Sequence, residues 1–252
     1  MQSLSIASEA PGVGGGFAES RDRVVMTLPI REIVAETPRA HIVRLDLGGR
    51  SFPYKAGQAV FVGLPGDPRR RAYSLAGSPA DASCEGCLEL LVGLDAAGRP
   101  LALQPGTCLD VDGPVGQFTF PIDPSERRFI FIAGGTGIAP LRAMLRQALA
   151  TPHREIRVLY SARTPDEFAY QQELRALARE GRIELRQTIT RTEGTDTWTG
   201  GRGRIGKEEL QPLADDPATL WFICGPALFV NDTKRLLREA GTAPHRIRVE
   251  QW

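Results

Sequence analysis

Lysine is nearly absent from this chain: of 31 basic residues only Lys55, Lys207 and Lys234 are not arginine. Histidine is as scarce. His41, His153 and His245 are scattered without ligand spacing, which argues against a histidine metal centre. Four cysteines cannot staple 252 residues. Cys84 and Cys87 form a single CxxC, and Cys108 and Cys224 lie far from it, whereas an iron–sulfur cluster takes four closely placed ligands. The CxxC reads as two surface-loop thiols, with a zinc or redox pair as the lesser alternative. So few thiols fit a reducing compartment, and a cytoplasmic location is expected. No run approaches the ~20 apolar residues of a membrane span, and Phe129 to Leu141, the best candidate, is short and broken by glycines. The N-terminus has no basic patch followed by an apolar run, so no secretory signal is expected. With 31 basic against 30 acidic side chains the net charge is +1, which gives no general pull toward nucleic acid or an anionic membrane. Neither GxSxG nor GxxxxGK[ST] occurs, which lowers serine hydrolases and P-loop NTPases. Chemistry carried by an organic cofactor remains.

The apolar fraction, 42%, is that of a globular chain, and its patterning changes along the length. Residues 1–21, rich in Gly, Ser, Ala and Glu without periodicity, read as a flexible leader. From residue 22 to 123 short apolar runs alternate with Gly/Pro turns. His41–Leu45, Ala59–Val62 and Leu88–Val92 are such runs, and Lys55-Ala56-Gly57 and Gln104-Pro105-Gly106 such turns. That spacing predicts a small antiparallel barrel. From residue 124 to 252 the period changes. Phe129–Ala133 is a continuous apolar run, as in a parallel strand covered on both faces. Helical spacing follows at Ile138, Leu141, Leu145 and Ala148, then a strand at Arg157–Tyr160, a helix over Phe168–Arg179, and strands at Ile183–Ile189, Trp221–Cys224 and Arg246–Glu250. The alternation predicts a doubly wound parallel sheet, so the fold class is β plus α/β.

Two short stretches carry recognisable chemistry. Gly134-Gly135-Thr136-Gly137-Ile138-Ala139-Pro140 stands between a buried strand and a helix, where glycines permit close backbone approach and free N–H groups at the helix start favour a pyrophosphate. The spacing is not GxGxxG, and Ser161-Ala162-Arg163 ends the next strand where an acidic residue would hold a ribose. Arg71-Ala72-Tyr73-Ser74 offers a cation for a phosphate, a ring for stacking and a hydroxyl for a ring edge. Taken alone, each residue also reads as a solvated arginine, a barrel aromatic or a turn serine.

Arg71-Ala72-Tyr73-Ser74, Gly113-Pro114-Val115-Gly116-Gln117-Phe118, Gly135-Thr136-Gly137-Ile138-Ala139-Pro140, Cys224-Gly225-Pro226 and the terminal Val249-Glu250-Gln251-Trp252 occur in that order. The succession closely resembles the ferredoxin–NADP reductase-like flavoprotein family, from about residue 24 to the end. The resemblance implies a six-stranded antiparallel flavin-binding barrel over residues 22–123 and an NAD(P)-binding α/β domain over 124–252. It also implies that Arg71, Tyr73 and Ser74 hold the flavin, and that Gly135, Thr136, Gly137 and Pro140 cradle the NAD(P) pyrophosphate. Cys224, Gly225 and Pro226 would face the nicotinamide, Glu250 would lie close to the hydride path, and Trp252 would stack on the flavin. Ser74, Cys224 and Glu250 are the catalytic candidates. The implied chemistry is hydride transfer between nicotinamide and flavin, then single electrons passed onward.

One stretch departs from the family. Members that bind FAD usually carry a Gly-x-x-Ser/Thr turn before the second barrel motif, and here Ala97-Gly98-Arg99-Pro100-Leu101-Ala102-Leu103 is shorter and lacks a hydroxyl. FAD is the expected flavin, with FMN open. Arg163, Thr190 and Arg191 could bind a 2′-phosphate, which favours NADPH. The stretch Thr197-Trp198-Thr199-Gly200-Gly201-Arg202-Gly203-Arg204-Ile205 resembles NADH-using relatives and keeps NADH open. No cysteine-rich ferredoxin domain is appended, so the expected partner is a separate small acidic carrier such as ferredoxin, flavodoxin or an oxygenase component. Arg69 and Arg70 would offer it a positive rim. The alternative is a non-catalytic flavin-binding redox adaptor or sensor on the same fold, against which the intact Ser74, Cys224 and Glu250 argue.

Overall fold

The computed structural model describes residues 24–94, 103–191, 193 and 195–252. The expected leader and the shortened turn from Ala97 to Ala102 lie outside the described residues.

The first half builds one antiparallel sheet from β1 (Val24–Thr37), β2 (Ala40–Asp46), β3 (Ala59–Gly63), β4 (Arg71–Ser74), β5 (Cys87–Gly93) and β6 (Cys108–Val115), with a short helix α1 (Pro79–Glu85) between β4 and β5. The strand order is β4-β3-β6-β1-β2-β5. Just beyond β4, Leu75 bridges Leu90 of β5, which brings the two edge strands together and curls the sheet toward a barrel. Strand alternation sends Leu28 and Ile30, Val43 and Leu45, Leu88 and Leu90 to one core with Val60 and Val111. The helix α1 is one the apolar pattern did not signal. Ser78 and Asp81 cap each other's backbone N–H groups, and Gly86 closes the far end in a left-handed conformation. The two thiols expected on a surface loop therefore differ: Cys84 is exposed on α1, and Cys87 is buried in β5.

The second half alternates β7 (Arg128–Gly134), α2 (Ile138–Leu149), β8 (Glu155–Ala162), α3 (Gln171–Arg179), β9 (Glu184–Ile189), β10 (Gly201–Arg202), α4 (Lys207–Leu210), β11 (Thr219–Gly225), α5 (Ala227–Glu239) and β12 (Ile247–Gln251). The strands pair in parallel in the order β10-β9-β8-β7-β11-β12. The unbroken apolar run of β7 has a simple cause. Phe129, Phe131 and Ala133 pack with α2, α3 and the barrel residues Ile42, Leu91 and Phe118, while Ile130 and Ile132 pack with α5 on the other face. The helix expected from Phe168 starts only at Gln171, because Phe168 stacks on Trp198 with ring centroids 5.5 Å apart and meets Tyr160 edge-on at 4.9 Å. Among the described residues no helix is long and apolar enough to cross a membrane.

Connections run outward from β7 through β8 to β10, then return to β11 on its other side. Such a reversal opens a crevice beyond the carboxyl ends of β7 and β11, where doubly wound sheets bind ligands. Barrel residues Thr37, Arg39, Ala40, Gly93 and Leu94 line the same crevice.

Candidate functional site

The chain leaves β7 at Gly134, makes a short 3-10 turn over Gly135–Gly137 and enters α2. Gly135 has φ +55° with open space where a Cβ would stand, and a Cβ on Gly137 would lie 2.3 Å from the Cys224 carbonyl oxygen. The turn therefore requires glycine twice, once for conformation and once for close approach to β11. No side chain caps this turn or α2; the Ile138 N–H donates to the backbone carbonyls of Gly135 and Thr136.

Over this turn lies a cleft of about 830 Å³. The sequence-expected residues Gly135, Thr136, Arg163, Thr190, Arg191, Pro226 and Trp252 line it, and the barrel supplies the opposite wall with Thr37, Arg39 and Leu94. Gly137, Pro140, Cys224 and Gly225 do not line the cleft; all four are buried. Trp252 is 58% exposed, yet its N–H donates to the Gly225 carbonyl at 3.3 Å, so the terminal backbone is held at the end of β11.

Ser74, Cys224 and Glu250 converge beside this cleft. Cys224 and Glu250 are paired in register on β11 and β12. The Ser74 hydroxyl at the end of β4 donates to Oε2 of Glu250 at 3.5 Å, reaching from barrel to parallel sheet. Burial pushes the Glu250 carboxyl up to about 7, opposed by the Ser74 hydrogen bond. The Cys224 thiol is pushed well up, by burial first and by Glu250 second, and stays protonated at neutral pH.

Tyr73 is half-buried, and burial raises its hydroxyl pKa although Arg71 beside it works the other way. Arg71 is exposed and has no carboxylate partner among the described residues. Its neighbours behave otherwise. Arg69 pairs with Asp67 at 2.9 Å, and Arg70 pairs with Asp112 at 2.9 Å and Asp110 at 3.4 Å. The positive rim expected from these two arginines is thus largely neutralised by their own loop and β6.

Three further residues bear on the chemistry of the cleft. Arg204 and Arg235 line the cleft with Arg163 and Arg191; Arg204 stands inside the Trp198–Ile205 stretch, whereas Arg235 on α5 carries no signal beyond a helical arginine. It pairs with Glu239 at 2.8 Å. Tyr160 is fully buried, and its hydroxyl donates to the Gly135 carbonyl and accepts from the Ala169 N–H, both at 3.1 Å. It ties the glycine turn to the segment before α3. Among the described residues no three His, Cys, Asp or Glu side chains gather as a metal site.

Comparisons with known proteins converge on one family. A family model for an oxidoreductase NAD-binding domain matches residues 131–235. Ferredoxin–NADP reductase B of Sorangium cellulosum is 36% identical over 243 residues, covering 91% of this chain and 96% of that protein. A cytochrome P450 reductase of Amycolatopsis superposes with a TM-score of 0.80 at 23% identity, covering 91% of this chain and 70% of the other. A ferredoxin NADP+ reductase from Neisseria gonorrhoeae, solved with bound FAD and NADP, superposes with a TM-score of 0.74 at 22% identity, covering 90% and 98%.

Proposed function

The chain belongs to the ferredoxin–NADP reductase-like flavoprotein family, and on that premise we propose that it exchanges electrons between NAD(P)H and a separate carrier protein through a bound FAD. It is an NAD(P)H-dependent oxidoreductase. The observation that carries the reading is the meeting of Ser74 from the barrel with Glu250 and Cys224 from the parallel sheet beside a dinucleotide-sized cleft.

The residues present fit both cofactors. A glycine turn without a side-chain cap, at the end of a buried strand, offers backbone N–H groups to a pyrophosphate. Arg163, Arg191 and Arg204 bring positive charge to the same cleft, which supports NADPH over NADH. For FAD, Arg71 offers a cation free of carboxylates among the described residues, and Tyr73 offers a neutral, half-buried ring. When bound, the flavin supplies hydride exchange with the nicotinamide and single-electron exchange with the carrier.

The chain's own groups then have distinct tasks. Glu250, titrating at about 7, holds or releases a proton at Oε2 in the working pH range, with Ser74 as its hydrogen-bond donor. Cys224 stays a neutral thiol beside it and adds no charge. Trp252 covers the nicotinamide end of the cleft. The carrier is a ferredoxin, a flavodoxin or an oxygenase component; since Arg69 and Arg70 pair internally, its acidity is supported only by the remaining arginines. A cytoplasmic location accords with the free thiols.

The deciding experiment is anaerobic addition of NADPH or NADH to the purified protein. A yellow protein that bleaches and is reoxidised by ferredoxin or flavodoxin supports the reading; a colourless or unbleached protein overturns it.

A further inference from the structure

Beneath the cleft, the junction of barrel and parallel sheet contains an ionic cluster that no catalytic step above uses. Arg142, on the second turn of α2, is buried. Its Nη1 donates to the Ala76 carbonyl at 2.9 Å and to Glu89 Oε1 at 2.7 Å, both in the barrel half. Its Nε donates to Glu173 Oε2 of α3 at 2.7 Å, and its guanidinium lies 4.2 Å from the ring centroid of Tyr170. The second Glu89 oxygen accepts from Arg44 at 2.7 Å, so this buried carboxylate is fully engaged. One turn further along α2, Arg146 bridges Glu173 and Asp81 of α1, each at 2.9 Å.

The position of Arg142 matters as much as its partners. Ala76 stands two residues after Ser74, and its N–H donates to the Glu89 carbonyl at 2.8 Å. About one turn before Arg142, α2 begins at the glycine turn, whose Gly137 is pressed against the Cys224 backbone. One helix therefore touches both halves of the Ser74, Cys224 and Glu250 group: through Gly137 on the parallel-sheet side, and through Arg142 on the barrel side. A guanidinium holds two directions at once because its donors are fixed in a plane, which a lysine ammonium on a flexible stem cannot reproduce.

We propose that Arg142 is a positioning residue for hydride transfer: by clamping the Ala76 carbonyl and Glu89 to α2, it fixes Ser74 against the Cys224 and Glu250 strand ends. The proposal rests on the reductase reading above. Its effect falls on rate rather than on nucleotide affinity, because the pyrophosphate turn and cleft arginines are untouched.

The test uses the flavin-loaded full chain. Arg142→Lys keeps the buried charge and removes the fork. Flavin reduction at saturating NADPH is expected to slow at least tenfold, with the Kd for NADP+ within threefold of wild type. Without nucleotide, the amides of Leu75 and Ala76 are expected to exchange with deuterium at least tenfold faster, while that of Phe131 in β7 is unchanged. Arg146→Gln breaks the neighbouring cross-junction pair to Asp81, which lies on α1 away from Ser74, and the pair to Glu173 within the parallel-sheet half; it is expected to lower Tm and leave the reduction rate within twofold. If Arg142→Lys does not fold, the isosteric Glu89→Gln reads the same rate and is expected to slow it. Reduction within twofold of wild type in Arg142→Lys overturns the proposal, as does an equal slowing in Arg146→Gln, which would mark general loosening. If neither NADPH nor NADH reduces the wild-type flavin, the reductase reading falls, and exchange at Leu75 and Ala76 decides the clamp on its own.

Discussion

The hydroxyl of Ser74 and the carboxylate of Glu250 lie 3.5 Å apart, although 176 residues separate them in the chain. The contact exists only when barrel and parallel sheet are docked, so the protonation of Glu250 reports on that docking. Its folded pKa, about 7, exceeds the ordinary 4.5 because burial disfavours the charge. The folded chain therefore binds this proton more tightly than the unfolded chain. The stabilisation is complete below pH 4.5 and is lost as pH rises through about 7, above which both states are ionised. Glu250→Gln should remove that slope. Unfolding of wild type and variant, compared from pH 4.5 to 8, should diverge by up to roughly 3 kcal/mol, less whatever solvent screening removes. Ser74→Ala should move the loss to higher pH, because the hydroxyl favours the charged form. Parallel stability curves for wild type and Glu250→Gln would contradict this account.

Gly137→Ala tests the close approach of the glycine turn to β11. The new methyl would stand 2.3 Å from the Cys224 carbonyl oxygen, against backbone that cannot swing aside. Overpacking of this kind costs about 1–3 kcal/mol. Both Tm and NADP+ affinity should fall, since the strain acts on the turn that lines the cleft floor at Gly135 and Thr136. Gly135→Ala should cost less space but strain the backbone at φ +55°.

Such local features were legible because their physics is local. The apolar run of β7, covered on both faces, and the glycines that follow it specify a strand-to-helix turn whatever the surroundings. The cross-junction charges were not legible. Arg142 lies in a helical pattern where an arginine reads as solvated, and Glu89 lies within an apolar strand. Their burial follows from a docking that no period encodes. The internal pairing of Arg70 was hidden for the same reason, since Asp110 and Asp112 reach it only through the β3–β6 pairing, whereas the Asp67–Arg69 pair is local. The helix α1 did carry a signal, Ser78-Pro79-Ala80-Asp81, but a capping box over seven residues has too little apolar period to be weighed.

Arg191 is exposed in the cleft beside Arg163 and Arg204. If it pairs with a 2′-phosphate, Arg191→Ala removes a charge-assisted contact of about 1.5–3 kcal/mol. The KM for NADPH should then rise roughly 10- to 150-fold, and the KM for NADH far less. Equal changes for both nucleotides would give Arg191 a structural role and move the preference to NADH. Arg204→Ala, measured in parallel, shows how the charge is shared.

Arg71 is the test of the flavin side. It is exposed, next to the Tyr73 hydroxyl, and free of carboxylates among the described residues. Arg71→Ala should weaken flavin retention by a similar factor, roughly 10- to 150-fold in Kd. Flavin-to-protein ratios after gel filtration would read the loss. Chromatography of the flavin released on denaturation separates FAD from FMN. Full retention in the variant would remove Arg71 from the site.

Trp252 combines an exposed indole with a fixed backbone. Its backbone N–H donates to the Gly225 carbonyl at 3.3 Å, and the residue lines the cleft together with Pro226. A frayed terminus would show neither feature. If the indole stacks on the flavin, it competes with nicotinamide for that surface, and stacking is worth about 0.5–1.5 kcal/mol beyond the area it buries. Removing the competitor in Trp252→Ser should therefore tighten nicotinamide binding by roughly two- to tenfold. A nicotinamide that stays longer should give a charge-transfer absorbance with the flavin and should slow turnover through retained product. Flavin fluorescence in the nucleotide-free variant should rise, because a stacked indole quenches it. Trp252→Phe keeps an aromatic face of smaller area and should fall between the two. If Trp252→Ser leaves fluorescence, nicotinamide affinity and turnover unchanged, the indole does not cover the flavin, and the backbone bond from Trp252 to the Gly225 carbonyl merely anchors the end of β12.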